Sequence, residues 1–115
     1  MTNLATSCLS ESDIQRQILD WLKARGIFHR RLPVGAVRHS GIAKKSPIKG
    51  FPDIMGFLPN TMGRAFFIEV KTSKGELSQC QSETINELIR QGAIVIVARC
   101  LEDVQMVLRL FPVAS

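Results

Sequence analysis

The fold is decided by one stretch of the sequence, Asp53-Ile-Met-Gly-Phe-Leu-Pro-Asn-Thr-Met-Gly-Arg-Ala-Phe-Phe-Ile-Glu-Val-Lys71. Two apolar runs, residues 53–58 and 64–71, flank a loop, 59–63, that has the Pro, Asn and Gly content of a hairpin turn. Both runs are apolar at successive positions, which is typical of central strands that helices cover on both faces. The stretch therefore predicts a β-hairpin at the centre of an α/β domain.

The register of this hairpin is expected to bring charged side chains together. If the loop is symmetric about Thr61, Asp53 lies directly opposite Glu69, and opposed residues hold their Cβ atoms about 4.5–5.5 Å apart on one face of the sheet. Lys71 follows Glu69 by two residues, so it lies on the same face about 6.6 Å further along. Two carboxylates and an ammonium group therefore converge at one end of the hairpin, whereas a one-residue slip in register would separate Asp53 from Glu69.

Opposed carboxylates are unfavourable unless something compensates their charge. At an effective dielectric constant of about 20, two like charges about 5 Å apart repel each other by about 3 kcal/mol. A divalent cation turns that repulsion into a ligand set, and Mg²⁺ prefers one or two carboxylates completed by water and substrate phosphate. The alternative is purely structural: Asp53 is a turn residue, Glu69 is a salt-bridge partner and Lys71 is a solvated strand end.

The flanking sequence predicts one domain with the element order α-β-β-β-α-β-α. Ser10 and Asp13 have capping-box spacing before an amphipathic helix, 11–25, that Gly26 ends. A chain of 115 residues can bury a single core, so residues 10–115 are expected to form one α/β sandwich, with residues 1–9 as a flexible tail. The remaining predicted elements are a short strand at 27–32, a helix at 78–91, a buried strand at 93–98 and a helix at 101–110.

Positive charge is concentrated in one region. Fifteen Lys and Arg residues against ten Asp and Glu give a net charge of +5, which suits a polyanionic partner such as nucleic acid. Between Trp21 and Pro52 there is no carboxylate. Residues 33–50, rich in Gly, Ser, Pro and cations, show no period, and we predict a basic loop without regular structure. The alternative is a solvated loop with no ligand. The cations between Trp21 and Pro52 are Lys23, Arg25, Arg30, Arg31, Arg38, Lys44, Lys45 and Lys49.

Several classes of protein are disfavoured. The three cysteines, Cys8, Cys80 and Cys100, show no CxxC spacing, and an odd, unpaired set indicates a reducing compartment rather than a disulfide framework. With only two histidines, a zinc site is not expected. The N-terminus lacks a signal-peptide pattern, and the longest apolar run, 93–98, is far short of the roughly 20 residues that span a bilayer. We therefore expect a cytoplasmic protein without a membrane partner.

At the level of motifs, the sequence resembles a known nuclease family. Gly50-Phe51-Pro52-Asp53, followed after fifteen residues by Glu69-Val70-Lys71, is similar to the PD-(D/E)XK nuclease signature. Glu11 with Ile14-Gln15, and the run from Lys71 through Gly75-Glu-Leu77-Ser78 to Gln81, resemble the virus-type replication-repair nuclease (VRR-Nuc) branch of that superfamily. The resemblance covers about residues 10–98. It implies a restriction-endonuclease-like sandwich, with a central mixed sheet flanked by helices, and a nuclease that depends on Mg²⁺ or Mn²⁺.

The resemblance also implies a ligand set for the metal. Asp53 and Glu69 would bind the metal together with the backbone carbonyl of Val70. Glu11 would approach from the first helix as an outer or second-metal carboxylate. The alternative for Glu11 is an exposed first-turn residue that the helix dipole favours.

Two further residues would have catalytic roles by the same resemblance. Lys71 would orient or polarise the attacking water and stabilise charge on the phosphate, and Gln81 would help to hold the lysine or the water. These roles are physically reasonable because the scissile phosphate gains charge that cations stabilise. The alternative for Gln81 is a solvated helix residue.

The function expected from the whole sequence is a structure-selective DNA endonuclease, similar to Holliday-junction resolvases of replication and repair that act as homodimers. One alternative is a basic nucleic-acid-binding module with an inactive nuclease-like site. Another is a small metal protein unrelated to DNA, which the carboxylate-free stretch disfavours. Phosphate contacts from the basic loop would position a duplex without reading its sequence. The residues expected to make them are Arg30, Arg31, Arg38, Lys44, Lys45 and Lys49.

Overall fold

The computed structural model describes residues 9–33, 36–39, 42–45 and 48–113. The predicted tail, residues 1–9, lies outside this part of the chain except for Leu9, which packs against the core. In chain order the elements are α1 (Glu11–Ala24), β1 (His29–Arg31), β2 (Ala36–His39), β3 (Ile42–Lys45), β4 (Ile54–Phe57), β5 (Ala65–Val70), α2 (Gln79–Arg90), β6 (Ile94–Ala98) and α3 (Leu101–Leu108).

The central hairpin, β4–β5, has the predicted register. Ile54 pairs with Ile68, and Phe57 pairs with Ala65, so the loop between the strands is symmetric about Thr61. Both strands are shorter than expected, because Asp53 occupies a bend before β4 and Lys71 follows the end of β5. The two charged ends of the motif therefore flank the ladder instead of belonging to it.

The main sheet is mixed, as predicted, with the strand order β1-β4-β5-β6. The β1–β4 and β4–β5 pairs are antiparallel, and the β5–β6 pair is parallel. One face carries the main core, in which Phe66, Ile68 and Val70 of β5 are buried in one cluster with residues of α1 and α3. The opposite face carries Phe67 and Glu69 and is covered by α2.

The first helix follows the expected pattern. Ser10 and Asp13 form a reciprocal capping box, and Ile14, Ile18 and Leu22 form one buried stripe because residues four apart share a helix face. Gly26 takes a left-handed conformation, with φ of 70°, directly after the helix. No helix in the described part of the chain has both the length and the apolar character that a membrane span requires.

The prediction that residues 33–50 lack regular structure is wrong for part of this segment. β2 and β3 form a separate two-stranded antiparallel sheet in which Val37 pairs with Lys44 and Arg38 pairs with Ala43. The two strands are only four residues long, and neither alternates between apolar and polar residues. Backbone pairing, which needs no apolar pattern, therefore produced a hairpin that the sequence analysis missed. The Ser40-Gly41 dipeptide between the strands is a turn signal that would have indicated it.

Candidate active site

Glu69 is a buried carboxylate at the end of the central hairpin. The residue is only 2% exposed. Its Oε2 accepts a hydrogen bond from Gln81 Nε2 at 3.1 Å and lies 3.7 Å from Lys71 Nζ. Its Oε1 is buried without a hydrogen-bond partner among the described residues. Since buried acceptors are normally satisfied, this oxygen is available to accept from a water or to bind a cation.

Asp53 lies beside Glu69 but is held by the backbone. Its Oδ2 accepts a hydrogen bond from the Val70 amide at 2.9 Å, and its carbonyl accepts one from the Leu32 amide at 2.8 Å. The first bond links the bend before β4 to the last residue of β5. The two carboxylates predicted to be neighbours are therefore brought together, with Asp53 oriented by the strand that carries Glu69.

The pKa of Glu69 records this environment. Burial, followed by the negative charges of Asp53 and Glu11, raises this pKa from its ordinary value of 4.5 to about 7. Lys71 opposes the shift through its positive charge and a hydrogen bond. A carboxyl group in a water-poor site favours its neutral form, so this site gains from any additional cation that stabilises the carboxylate.

Gln81 connects Glu69 to the start of α2. It is the third residue of a capping box: the Ser78 hydroxyl accepts from the Gln81 amide, and Gln81 Oε1 accepts from the Ser78 amide at 2.9 Å. With its oxygen committed to the cap, the Gln81 side chain directs its NH₂ group to Glu69. The Ser-x-x-Gln spacing is a recognisable sequence signal, and it explains in physical terms why this glutamine does not behave as a solvated helix residue.

Gly50 permits the segment before Asp53 to pack against α2. Its φ is 87°, in the left-handed region, and an added Cβ would lie 2.6 Å from Cys80 Sγ and 2.9 Å from Thr84 Oγ1. The Cys80 thiol also contacts the Lys49 carbonyl at 3.7 Å. Gly50 therefore allows the segment before Asp53 to pack closely against α2, the helix that carries Gln81.

Gly50→Ala is expected to destabilise the protein by about 2–4 kcal/mol, because left-handed strain and overpacking add. Gly92→Ala is the matched control: φ there is 95°, but the added Cβ would meet no atom of the described residues within 4 Å. Only the strain, about 1–2 kcal/mol, should apply to the control. Urea unfolding measures both losses, and equal losses would show that Gly50 is not packed closely against α2.

Arg99 is a site-forming residue that the sequence analysis missed. Its guanidinium donates to the carbonyls of Thr72 and Gly75, at 2.6 and 2.7 Å, and so closes the turn that follows Lys71. The Lys71 amide itself donates to the Ala98 carbonyl at 3.0 Å, at the end of β6. The backbone around Lys71 is therefore fixed from β6 and Arg99. A single arginine after a buried strand gives no sequence signal for this contact.

Glu11 and Val70 have different positions relative to the carboxylate pair. Glu11 is the exposed first residue of α1, close enough for its charge to raise the pKa of Glu69. Val70 is 1% exposed and offers its amide to Asp53. Among the residues that the structure describes, no group of three or more His, Cys, Asp or Glu side chains is placed to hold a metal ion. Side chains alone therefore supply at most two close carboxylates, Asp53 and Glu69.

The predicted DNA-binding cations fall into two groups. Arg30, Arg31 and Lys49 are exposed, and the Arg30 guanidinium lies 4.5 Å from the centre of the Phe28 ring. Arg38, Lys44 and Lys45 belong to the β2–β3 hairpin; their side chains lie outside the described part of the structure. The hairpin is inserted between β1 and the bend at Asp53, so both groups are connected directly to strands of the main sheet.

A mixed four-stranded sheet with helices on both faces, and a buried carboxylate at the end of its central hairpin, define an α/β domain with a candidate active site. The family model of the VRR-NUC domain matches residues 9–101. The chain therefore belongs to the VRR-NUC family, whose domain is of the nuclease type.

A solved structure described as a "VRR_NUC domain protein" has the same fold. The two chains share 20% sequence identity with a TM-score of 0.59, and the similarity covers 90% of this chain and 88% of the other. No curated protein matches the sequence significantly. At this identity the structural match establishes the fold, and the family model independently supports the same assignment.

Proposed function

We propose that this domain is a divalent-metal-dependent, structure-selective endonuclease that hydrolyses phosphodiester bonds in branched or junction DNA during replication or repair. One observation carries the proposal: Glu69, in a nuclease-type family, is a buried carboxylate beside Asp53 and Lys71 whose Oε1 has no hydrogen-bond partner among the described residues. Buried acceptors are normally satisfied, and a cation bound at Oε1 would satisfy this one.

The residues present fit a hard divalent cation. Asp53 and Glu69 are two neighbouring carboxylates, one with an unsatisfied oxygen, and the Val70 carbonyl and Glu11 are further candidate oxygen ligands. A site with this small number of protein ligands suits Mg²⁺ or Mn²⁺ better than a complete protein cage would. Such ions keep several bound waters and also bind oxygens of the substrate phosphate. When bound, the ion supplies an activated water and charge compensation at the phosphate.

The protein's own groups perform the remaining tasks. Gln81 holds Glu69 Oε2 in place from the capped end of α2, and the Val70 amide orients Asp53. Lys71 presents its ammonium group next to Glu69, with its side chain 13% exposed, where it can stabilise negative charge on a phosphate at the site. Arg99 fixes the turn behind this lysine.

The proposal is tested by incubating the protein with labelled four-way junction, flap, nicked and plain duplex DNA, with Mg²⁺, Mn²⁺ or excess chelator. Branched substrates should be cut in either metal and stay intact in chelator. Binding of all four DNAs without cleavage in any metal would favour the alternative, a basic nucleic-acid-binding module with an inactive site. Neither binding nor cleavage would refute both.

The basic segment, residues 30–49, is proposed to contact DNA phosphates. Replacing Arg38, Lys44 and Lys45 by Ala should flatten the dependence of log Kd on log salt concentration by about 0.9 per lost phosphate contact. Arg109→Ala, which removes an exposed cation after α3, should leave the slope unchanged. Fluorescence anisotropy over a range of salt concentrations measures both, and an unchanged slope in the triple variant would place the hairpin away from DNA.

A homodimer is proposed because one chain carries one such site, whereas resolving a junction requires two cuts. Sedimentation of the protein with junction DNA in chelator should give two chains per junction. A single chain per junction at saturation would remove the paired-cut mechanism and leave single-strand nuclease chemistry intact.

A further inference from the structure

An exposed aromatic pair lies on the open part of the main sheet. Phe28 and Phe57 are 49% and 42% exposed, and their ring centroids are 5.5 Å apart at an interplanar angle of 34°. The Phe57 amide donates to the Phe28 carbonyl, so the two backbones are adjacent. Arg30 stacks its guanidinium over the Phe28 ring at 4.5 Å. These three residues form what is here named the aromatic platform.

The aromatic platform shares a sheet face with the candidate active site. Arg30 pairs with Met55, and Met55 pairs with Phe67, so alternation along the strands places Phe28, Phe57 and Glu69 on the same side. At the Glu69 end this face is covered by α2 through Gln81. At the β1–β4 end it is open, which is why the two rings remain half exposed.

The separation suits one nucleic-acid strand. Phe57 pairs with Ala65, four residues before Glu69 along β5, and Phe28 lies one strand beyond Phe57. At about 3.3 Å per residue and about 4.8 Å per strand, the rings lie about 14–16 Å from the carboxylate. A stacked strand advances about 3.4 Å per nucleotide, so a phosphate at the site and a base on the platform would be about four to five nucleotides apart.

The chemistry of the platform favours a nucleobase over other occupants. Exposed π-faces beside a guanidinium match a flat, partly polar ring attached to a phosphate chain. Phenylalanine offers no hydrogen bond to a base edge, so recognition there would be independent of sequence. Bases inside a duplex present no free face, whereas unpaired bases do.

We propose that the aromatic platform binds an unpaired nucleobase of the DNA substrate and so selects DNA with a single-stranded segment next to the cleavage position. This inference deepens the proposed function and rests on it. Structure selectivity then has a physical origin: basic residues bind any backbone, and the platform adds affinity only where a base is free to stack.

The test compares Phe28→Leu/Phe57→Leu with the wild type in chelator, so that no cleavage occurs. Leucine keeps apolar bulk and removes the π-face. The probe is a single-stranded thymidine oligonucleotide of about 12 nucleotides, and we expect the double variant to bind it about tenfold more weakly. Binding of a fully paired duplex should change less than twofold, and Met106→Ala, at an exposed apolar position of α3, should change neither.

An oligomer of the same length that lacks bases identifies the group being bound. Wild type and double variant should bind this abasic strand equally, because removing the base and removing the rings delete the same contact. Phe57→Trp should keep wild-type affinity for the thymidine strand and show quenched tryptophan fluorescence on binding. Equal affinity of wild type and double variant for the thymidine strand would overturn the proposal, as would an equal loss on the abasic strand.

Two further outcomes separate this inference from its alternatives. If the wild type sediments as a DNA-free dimer that the double variant loses while its DNA binding is unchanged, the platform is an interface between two copies and the proposal is wrong. If base-dependent binding is observed but no DNA is cut in Mg²⁺ or Mn²⁺, the proposed function fails and the platform stands. If DNA is cut in a metal-dependent way but binding does not depend on the bases, the platform proposal fails and the proposed function stands.

Discussion

Lys71→Ala is expected to lower the single-turnover rate of DNA cleavage by about 10²–10³-fold, the usual cost of removing one preorganised group that stabilises charge in the transition state. Its ammonium group lies 3.7 Å from Glu69 Oε2, with the side chain 13% exposed, so water replaces it poorly. DNA affinity should stay within a few-fold if, as proposed, the basic residues of segment 30–49 supply most of the binding energy. Rapid-quench cleavage of pre-bound DNA and anisotropy in chelator measure the two effects separately.

Lys74→Ala is the matched control for this experiment. Lys74 is exposed on the turn directly after Lys71, and its removal changes the net charge equally. It should leave the cleavage rate near that of the wild type. Lys71 lowers the pKa of Glu69, so Glu69 should ionise at a higher pH in Lys71→Ala. The pH at which the residual activity of the variant increases should therefore be higher than the corresponding pH for the wild type. A variant that cuts at the wild-type rate would refute the assignment of Lys71.

Glu69→Gln is expected to have opposite effects on stability and on activity. In the metal-free protein the pKa of Glu69 is raised from 4.5 to about 7, so the folded state binds its proton more tightly than the unfolded state. The associated stabilisation is present below about pH 4.5 and is lost as the pH rises through about 7. Glutamine is always neutral and avoids this loss. The free energy of unfolding of the variant should therefore exceed that of the wild type by about 2–3 kcal/mol at pH 8 in chelator.

Metal should reverse that order. Added Mn²⁺ stabilises whichever folded protein binds it, so the wild-type Tm should rise at pH 8 while that of Glu69→Gln changes little and its cleavage is lost. Glu76→Gln, which neutralises an exposed carboxylate in the turn after Lys71, should follow the wild type throughout. Thermal unfolding at pH 5 and 8, with and without metal, checks the sign. A Glu69→Gln variant that is less stable than wild type at pH 8 in chelator would show that Glu69 is a structural anion.

The parts of the candidate site that depend on local geometry could be predicted from the sequence. A symmetric loop around Thr61 and the strict alternation of β-strands set the register, so the approach of Asp53 to Glu69 followed from counting residues. Lys71 and Gln81 were predicted as site residues from the resemblance to the nuclease family. The capping box between Ser78 and Gln81 explains physically why the Gln81 side chain is directed toward Glu69.

The remaining features depend on contacts between distant segments. Arg99 lies more than twenty residues from the turn that it closes, and no local pattern marks such a contact. The β2–β3 pairing was missed because its strands lack an apolar period. The orientation of Asp53 toward the Val70 amide is set by the bend before β4, where side-chain direction no longer follows from alternation.

Conversion of supercoiled plasmid DNA to nicked and linear forms tests whether Asp53 and Glu69 form the centre of a metal-dependent phosphodiesterase. Reactions contain wild type or Asp53→Asn, at a protein concentration that saturates the DNA, and are started with Mg²⁺ or excess chelator. A metal site built on these two carboxylates predicts conversion by the wild type in Mg²⁺ only, and at least about 10²-fold slower conversion by Asp53→Asn at equal DNA occupancy. Conversion by wild type in chelator, or by Asp53→Asn at the wild-type rate, would contradict it.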